Sequence, residues 1–463
     1  MKDLYLDKII QVTKGAMIWE EQNLICNEFS IDTRSLKDGD VYIGIKGENF
    51  DGNSLYKKAF EKGAKLCILN EEMKEKIEKE DQEKDKRILF VEDTIQALGK
   101  IAEYKRSLYS IPVVAITGSV GKTSTKDMIG SVIAQKYKVH KTQGNYNNAI
   151  GLPLTILGLK DEEVLVVEMG MNHFGEIDYL TNIAKPTIAV ITNIGTSHIG
   201  NLGSRENILK AKLEILNGLQ DKGTIIINQD NDLLQKWAKE DEKYHKLTYG
   251  IEEKSDVMAE DIKIQETESK FKIKEANKTY EIEVPISGKH FIYNSLSAIA
   301  VGKILEIPME QIIKGIKDFK LTNKRMDIQT IEEEITVIND SYNASYDSMK
   351  ASLEYMHKLA GKRKIAILGD MLELGKFAKQ LHQKVGEEVV KNEVDLLITV
   401  GPLAHYIAEE AIEKGMKEQE VIEFLTNKEV VFYLKQNMKK GDIILLKASN
   451  ALNFTQILEE LKK

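Results

Sequence analysis

The stretch Val113-Val114-Ala115-Ile116-Thr117-Gly118-Ser119-Val120-Gly121-Lys122-Thr123-Ser124 constrains this chain more than any other. An apolar run rich in β-branched residues predicts a strand, a glycine loop follows, and Lys122-Thr123 opens a helix. Glycines let backbone N–H groups converge on phosphate oxygens, and a helix N-terminus adds a favourable dipole. Lys122 supplies a point charge and the Thr123 hydroxyl a ligand for Mg²⁺. The long form of the P-loop has glycine where this chain has Ile116, so the match is to the shorter Thr-Gly-x-x-Gly-Lys-Thr form. Strand before and helix after favour nucleotide binding over a chance turn. Gly118, Ser119, Val120, Gly121, Lys122, Thr123 and Ser124 are therefore the expected phosphate-binding residues.

The surroundings fit an α/β protein. Val164–Val167, Ile188–Ile191 and Thr224–Ile227 are short continuous apolar runs, the pattern of strands buried on both faces, with helical stretches between them. That alternation predicts a doubly wound, mostly parallel sheet. Ile262–Ile264, Phe271–Ile273 and Tyr280–Val284 alternate with period two and predict a small antiparallel appendage. Ile335–Ile338, Lys364–Leu368, Leu396–Val400 and Ile443–Leu446 predict a second, Rossmann-like α/β unit. Upstream, Val41–Ile45 and Leu66–Leu69 read as strands, and apolar Ile95, Leu98 and Ala102 give a helix over 92–106 that closes a first domain. The charged run from Glu71 to Arg87 reads as a solvated helix face or a surface excursion. Three domains are expected, as 463 residues suggest: 1–109, 110–324 and 325–463.

A net charge of −8 argues against nucleic acid or an anionic membrane as the main partner. The two cysteines, Cys26 and Cys67, are too few for a disulfide framework and read as small buried hydrophobes. Without a signal segment or spanning run in the sequence, a cytoplasmic location is expected.

A P-loop alone serves a GTP switch, a motor, a kinase or a ligase equally. Glu168 ends an apolar strand on the side where open α/β sheets bind ligands, well placed for Mg²⁺. His198 follows the strand Ile188–Ile191 and a polar loop; a lone loop histidine is more often structural than ligating, and three strand ends converging on one crevice make the two readings about even.

Motifs along nearly the whole chain resemble the Mur ligases, the family that builds the peptidoglycan stem peptide on a UDP-sugar. They are Thr117–Met128, Asn145-Tyr-Asn-Asn148 with Gly151-Leu-Pro153, Glu168–Met171 with Phe174-Gly-Glu176, and Thr192–Gly195 with His198. Lys210-Ala-Lys212, Gly288-Lys-His290 with Asn294, Arg325, Asp340–Asn343, and Leu368-Gly-Asp370 with Glu373 follow in order. Within the family the resemblance is to the member that joins D-alanyl-D-alanine to UDP-N-acetylmuramoyl-tripeptide.

The resemblance implies an ATP-dependent amide ligase with Lys122, His198, Lys212 and Arg325 as catalytic residues. It implies two Mg²⁺ sites, Thr123 and Glu168 at the first, His198 and a CO₂-carbamylated Lys212 at the second. Asn294 would contact adenine, and Arg325 and Asp340 would approach the nucleotide. Thr33 and Arg34 would receive the uridine end, Asn145 and Asn148 the UDP-sugar peptide, and Asn343 and Ser449 would lie near the substrates in the third domain. A monomer acting on small molecules is expected.

Four places depart from the family pattern: Phe291 after His290, Ser345-Tyr346 for Asn-Pro, Ala448 and Asn450 in the Lys-Gly-Ser-Arg stretch, and Asn53 for His. Other readings are a ligase for the third stem residue, a folylpolyglutamate synthase, a P-loop switch, or a silent paralogue. An Asp-Asn-Pro-Arg string and a guanine-reading Asn-Lys-x-Asp string, which the first and third of these would carry, do not occur.

Overall fold

The computed structural model describes residues 2–17, 23–80, 87–321, 326–331, 334–361 and 363–463. Contacts divide the chain into two compact units, one of residues 1–116, 137–189 and 213–224, the other of 117–136, 190–212 and 225–463.

In the first unit a five-stranded sheet has the order Ala16–Met17, Ile88–Val91, Leu66–Asn70, Val41–Ile43, Phe29–Ser30. Only the Ala16–Met17 pairing is antiparallel. Its core is apolar on both faces, with Tyr42, Cys67, Leu69 and Phe90 buried together, as expected of parallel strands. Cys26 and Cys67 are free and buried, and burial pushes the Cys26 thiol up to about 11. Helix Thr94–Ser107 starts at Asp93, whose carboxylate accepts from the Ile95 and Gln96 amides at 2.7 and 3.0 Å. Near its end the buried Arg106 guanidinium donates to the carbonyls of Tyr109, at 2.6 Å, and Ala184, at 2.9 Å. The second of these bonds ties it to helix Glu176–Ala184. The parallel strands Val139–Lys141, Val164–Glu168 and Val113–Thr117 run side by side.

The central sheet has seven strands, in the order Val257–Met258, His245–Gly250, Thr224–Asn228, Ile188–Ile191, Val113–Thr117, Val164–Glu168, Val139–Lys141. Non-consecutive neighbours mean crossovers, the signature of a doubly wound sheet.

The second unit carries the antiparallel hairpin sheet Glu260–Ile264, Ser269–Glu275 and Lys278–Val284. It also carries a six-stranded sheet ordered Asp327–Ile331, Ile335–Asn339, Asp442–Lys447, Arg363–Gly369, Leu396–Val400, Val421–Phe424. Here too only the first pairing is antiparallel. The α/β class and the antiparallel appendage are as the sequence predicts.

One expected strand is shorter than predicted. The strand from Val41 stops at Ile43 because Ile45 O turns to accept from Gly52 N at 2.9 Å. The P-loop helix ends at Ile133, where three-residue bonds from Gln135 N to Val132 O and from Lys136 N to Ile133 O tighten the last turn. The charged run after Glu71 does form a helix, Lys74–Glu80, with Ile77 turned inward; residues 81–86 lie outside the described set.

At the foot of the six-stranded sheet Asp442 is buried and bidentate with Arg363, at 3.0 Å to Nε and 2.6 Å to Nη2, and also accepts from Lys439 N. Removing one partner leaves the other charge uncompensated. Asp442→Ala is expected to destabilise the fold by about 3 kcal/mol, read as a lowered urea midpoint; an unchanged midpoint would contradict this account.

Candidate active site

The phosphate loop is built on two glycines with different constraints. Gly118 has φ +156° and Gly121 φ +84°. A Cβ on Gly118 would overlap the Thr192 hydroxyl, whereas one on Gly121 would meet nothing closer than Asn294 Oδ1 at 3.7 Å. Gly121 occupies the N-cap of helix Lys122–Ile133, and no side chain caps that end. An uncapped first turn behind a glycine loop is what anion binding needs. Lys122 Nζ donates to Gly118 O at 2.8 Å, so its charge lies over the loop. Thr123 is buried. Asn294, on helix Lys289–Ile304, accepts from Thr125 Oγ1 at 2.9 Å, which places it beside the P-loop helix.

The loop after strand Ile188–Ile191 braces the phosphate loop from behind. Asn193 accepts from Ser119 N through its carbonyl and from Val120 N through Oδ1, both at 3.0 Å. Its Nδ2 and Thr192 Oγ1 each donate to Val120 O at 2.9 Å. Gly195 N donates to Ser119 Oγ at 2.9 Å. Three residues on, His198 Nδ1 lies 2.6 Å from Glu373 Oε2. A carboxylate only accepts, so the proton is on Nδ1 and Nε2 is left with its lone pair. Burial and the Lys122 charge hold the imidazole below its ordinary range, with Glu373 opposing.

Lys212 lies near the end of helix Arg205–Leu213 and is 1% exposed. Among the described residues its ammonium has no hydrogen-bond or ion-pair partner, and burial together with the Lys122 charge holds its pKa well below that of an ordinary lysine. A neutral amine is the form that attacks CO₂, and the resulting carbamate is an anion suited to a neighbouring cation.

In the first unit, Glu168 ends its strand fully buried. Its Oε1 accepts from Asn147 Nδ2 at 2.8 Å and its N–H donates to Thr142 Oγ1 at 3.0 Å. Asn147 is a positioning residue that sequence reasoning missed; it stands between Asn145 and Asn148, both singled out. Asn145 is exposed, while Asn148 Oδ1 accepts from Ile150 N and Gly151 N and starts helix Gly151–Leu157. Thr33 is buried; Arg34 is exposed and chelates Asp32 at 2.7 Å. Asn53, where the family has His, is buried and bonded to Asp51 and to Asn70 N.

Further along, Asp340 forms an ion pair with buried Lys447 and accepts from Ser352 Oγ at 2.7 Å. Ser449 Oγ accepts from Leu372 N at 2.9 Å, and Asn343, exposed, accepts from Ala344 N. Arg325 lies outside the described residues. Of the departures, Phe291 packs against His290 with ring centroids 4.2 Å apart, and Tyr346 donates to Glu388 at 3.1 Å.

Substitution should separate the two glycines. Gly118→Ala combines backbone strain with overlap, roughly 2–6 kcal/mol, so ADP affinity should fall at least about 30-fold. Gly121→Ala carries the left-handed strain alone, about 1–2 kcal/mol. Equal losses by calorimetry at the two positions would contradict this geometry.

Three family descriptions cover most of the chain: "Mur ligase family, catalytic domain" at residues 27–106, "Mur ligase middle domain" at 116–302, and "Mur ligase, glutamate ligase domain" at 324–450. The UDP-N-acetylmuramoyl-tripeptide--D-alanyl-D-alanine ligase of Bacillus subtilis (strain 168) is 38% identical over 456 residues, covering 98% of this chain and 97% of its own. The Escherichia coli (strain K12) protein of the same name is 29% identical, covering 88% of each chain. Among solved structures, MurF from Acinetobacter baumannii superposes with a TM-score of 0.89 at 27% identity, over 100% of this chain and 99% of that one. MurF from Thermotoga maritima in complex with ADP gives 0.81 at 28% identity, over 94% and 97%. The chain belongs to the Mur ligase family.

Proposed function

We propose that this chain is an ATP-dependent ligase that joins D-alanyl-D-alanine to the terminal carboxyl of UDP-N-acetylmuramoyl-tripeptide in peptidoglycan precursor synthesis. The observation that carries this reading is end-to-end similarity to ligases of that name, 38% identical over 98% of the chain. The braced P-loop is the chemistry such an enzyme needs.

Amide formation from a carboxylate at neutral pH requires an activated leaving group. Transfer of the ATP γ-phosphoryl group to the tripeptide carboxylate gives an acyl phosphate and ADP. The dipeptide amine then attacks the acyl carbon, loses a proton, and expels inorganic phosphate. Two anions must approach, and Lys122 offsets part of their repulsion. Thr123 and Glu168 would hold one Mg²⁺, and His198, through the free Nε2, with carbamylated Lys212 would hold a second. The donor types fit: one buried carboxylate, one imidazole of fixed tautomer, and one buried amine without a partner among the described residues. Bound Mg²⁺ would neutralise charge on the phosphoryl oxygens.

Asn294 would meet the adenine, and Arg325 and Asp340 the nucleotide. Thr33 and Arg34 would take the uridine end, Asn145 and Asn148 the sugar peptide, and Asn343 and Ser449 the substrates in the third domain. In this reading residues 1–109 bind the UDP end, 110–324 bind ATP, and 325–463 bind the incoming dipeptide. The enzyme acts as a cytoplasmic monomer without nucleic-acid or membrane partners.

Phosphate release from Mg·ATP should require both UDP-N-acetylmuramoyl-tripeptide and D-alanyl-D-alanine, and yield a UDP-pentapeptide by mass. Release indifferent to either would sink the assignment. For Lys212, the intact protein in bicarbonate should carry the mass of one CO₂, lost on acidification. Lys212→Met should abolish ligation. In CO₂-free buffer it should also stabilise the fold by about 1–3 kcal/mol, because it removes a buried amine without a partner. A less stable Met variant would contradict that reading of the site.

A further inference from the structure

The loop that braces the phosphate-binding residues is gripped on its other side by two carboxylates from the C-terminal third of the chain. Asp347, in the first turn of helix Tyr346–Lys358, accepts through Oδ2 from both Thr196 N at 2.8 Å and Thr196 Oγ1 at 2.9 Å. Glu373 accepts from His198 Nδ1 with its side chain and from Gly200 N, at 3.1 Å, with its carbonyl.

The approach is too close for side chains. A Cβ on Gly195 would overlap Asp347 Oδ2, and one on Gly200 would overlap Glu373 O. His198 and Glu373 meet with both backbones left-handed, at φ +63° each, a conformation that non-glycine residues hold only where their surroundings impose it. Gly195 and Asn193, a few positions earlier in the same loop, bond Ser119 and Val120.

We infer that Asp347 and Glu373 are positioning residues that lock the loop 193–200 and, through Asn193 and Gly195, keep the phosphate loop in its working geometry. They touch no reacting group. A phosphate-binding loop held from one side only is free to drift, and a misplacement of about 1 Å costs up to about 100-fold in rate. Two carboxylates on a shared eight-residue loop act as a unit, so their effects should not add.

The kinetic part of the test rests on the ligase reading; the exchange part does not. In amide hydrogen exchange without substrates, Asp347→Ala should speed Thr196, and Glu373→Ala, which frees the His198 side chain, should speed the adjoining Ile199. Both should also speed Ser119 and Val120, with the global unfolding midpoint unchanged. In turnover, each alanine variant should lose about 10- to 100-fold in kcat while KM for ATP moves less than about threefold. The double variant should lose little more than the worse single one. Asp347→Asn and Glu373→Gln keep an oxygen that accepts the same bonds and should recover kcat to within about threefold.

Unchanged exchange at Ser119 and Val120 in both alanine variants would overturn the proposal, as would unchanged kcat where exchange has risen. If the wild-type protein releases no phosphate with both substrates, the ligase reading fails. The exchange at Ser119 and Val120 then still decides for or against the lock.

Discussion

Everything assigned to the phosphate loop depends on one side chain held in one place, the carboxamide of Asn193. Its Oδ1 accepts from Val120 N while its Nδ2 donates to Val120 O, so a single amide satisfies both backbone polar groups of one loop residue. Satisfying that residue from behind leaves the opposite face of the loop to a ligand. It also explains Gly118: the brace brings Thr192 so near that a methyl group cannot be fitted between them. A buried loop with orphaned backbone groups would be costly, and here the cost is met by a neighbouring strand's extension rather than by the ligand.

Lys212 follows the opposite rule. Burying an amine without a partner weakens a fold, and pushing its proton off is the cheaper course in a site of low dielectric. Such a residue makes sense where its chemistry is used, and the nearby Lys122 charge favours any modification that turns the amine into an anion. Asp340 and Lys447 show the ordinary alternative. There a buried lysine is paired with a carboxylate, and Ser352 Oγ donates to the same oxygen.

Much of this architecture is legible in the sequence because it is local. Runs such as Val164–Val167 and Leu396–Val400 announce buried parallel strands, and the strand–glycine–Lys-Thr order announces the loop. The contacts that tune the site are not local. Glu373 meets His198 across 175 positions and Asp347 meets Thr196 across 151, so no periodicity records them. Asn147 was hidden for another reason. Three asparagines crowd into four positions, and only the folded turn tells which one points at Glu168 and which one starts a helix. The shortened strand after Val41 illustrates a third limit, since an apolar residue such as Ile45 can spend its carbonyl on a turn while its side chain still reads as strand.

The two cysteines have a practical consequence. Both are sequestered in the first unit, and at neutral pH the Cys26 thiol is far from ionising. Thiolates, not thiols, attack alkylating reagents, and a buried sulfur is out of their reach as well. The native protein is therefore chemically silent toward maleimides. A single cysteine engineered on an exposed surface would be labelled alone, so dyes or spin probes can be attached site by site without first removing the native thiols from the core.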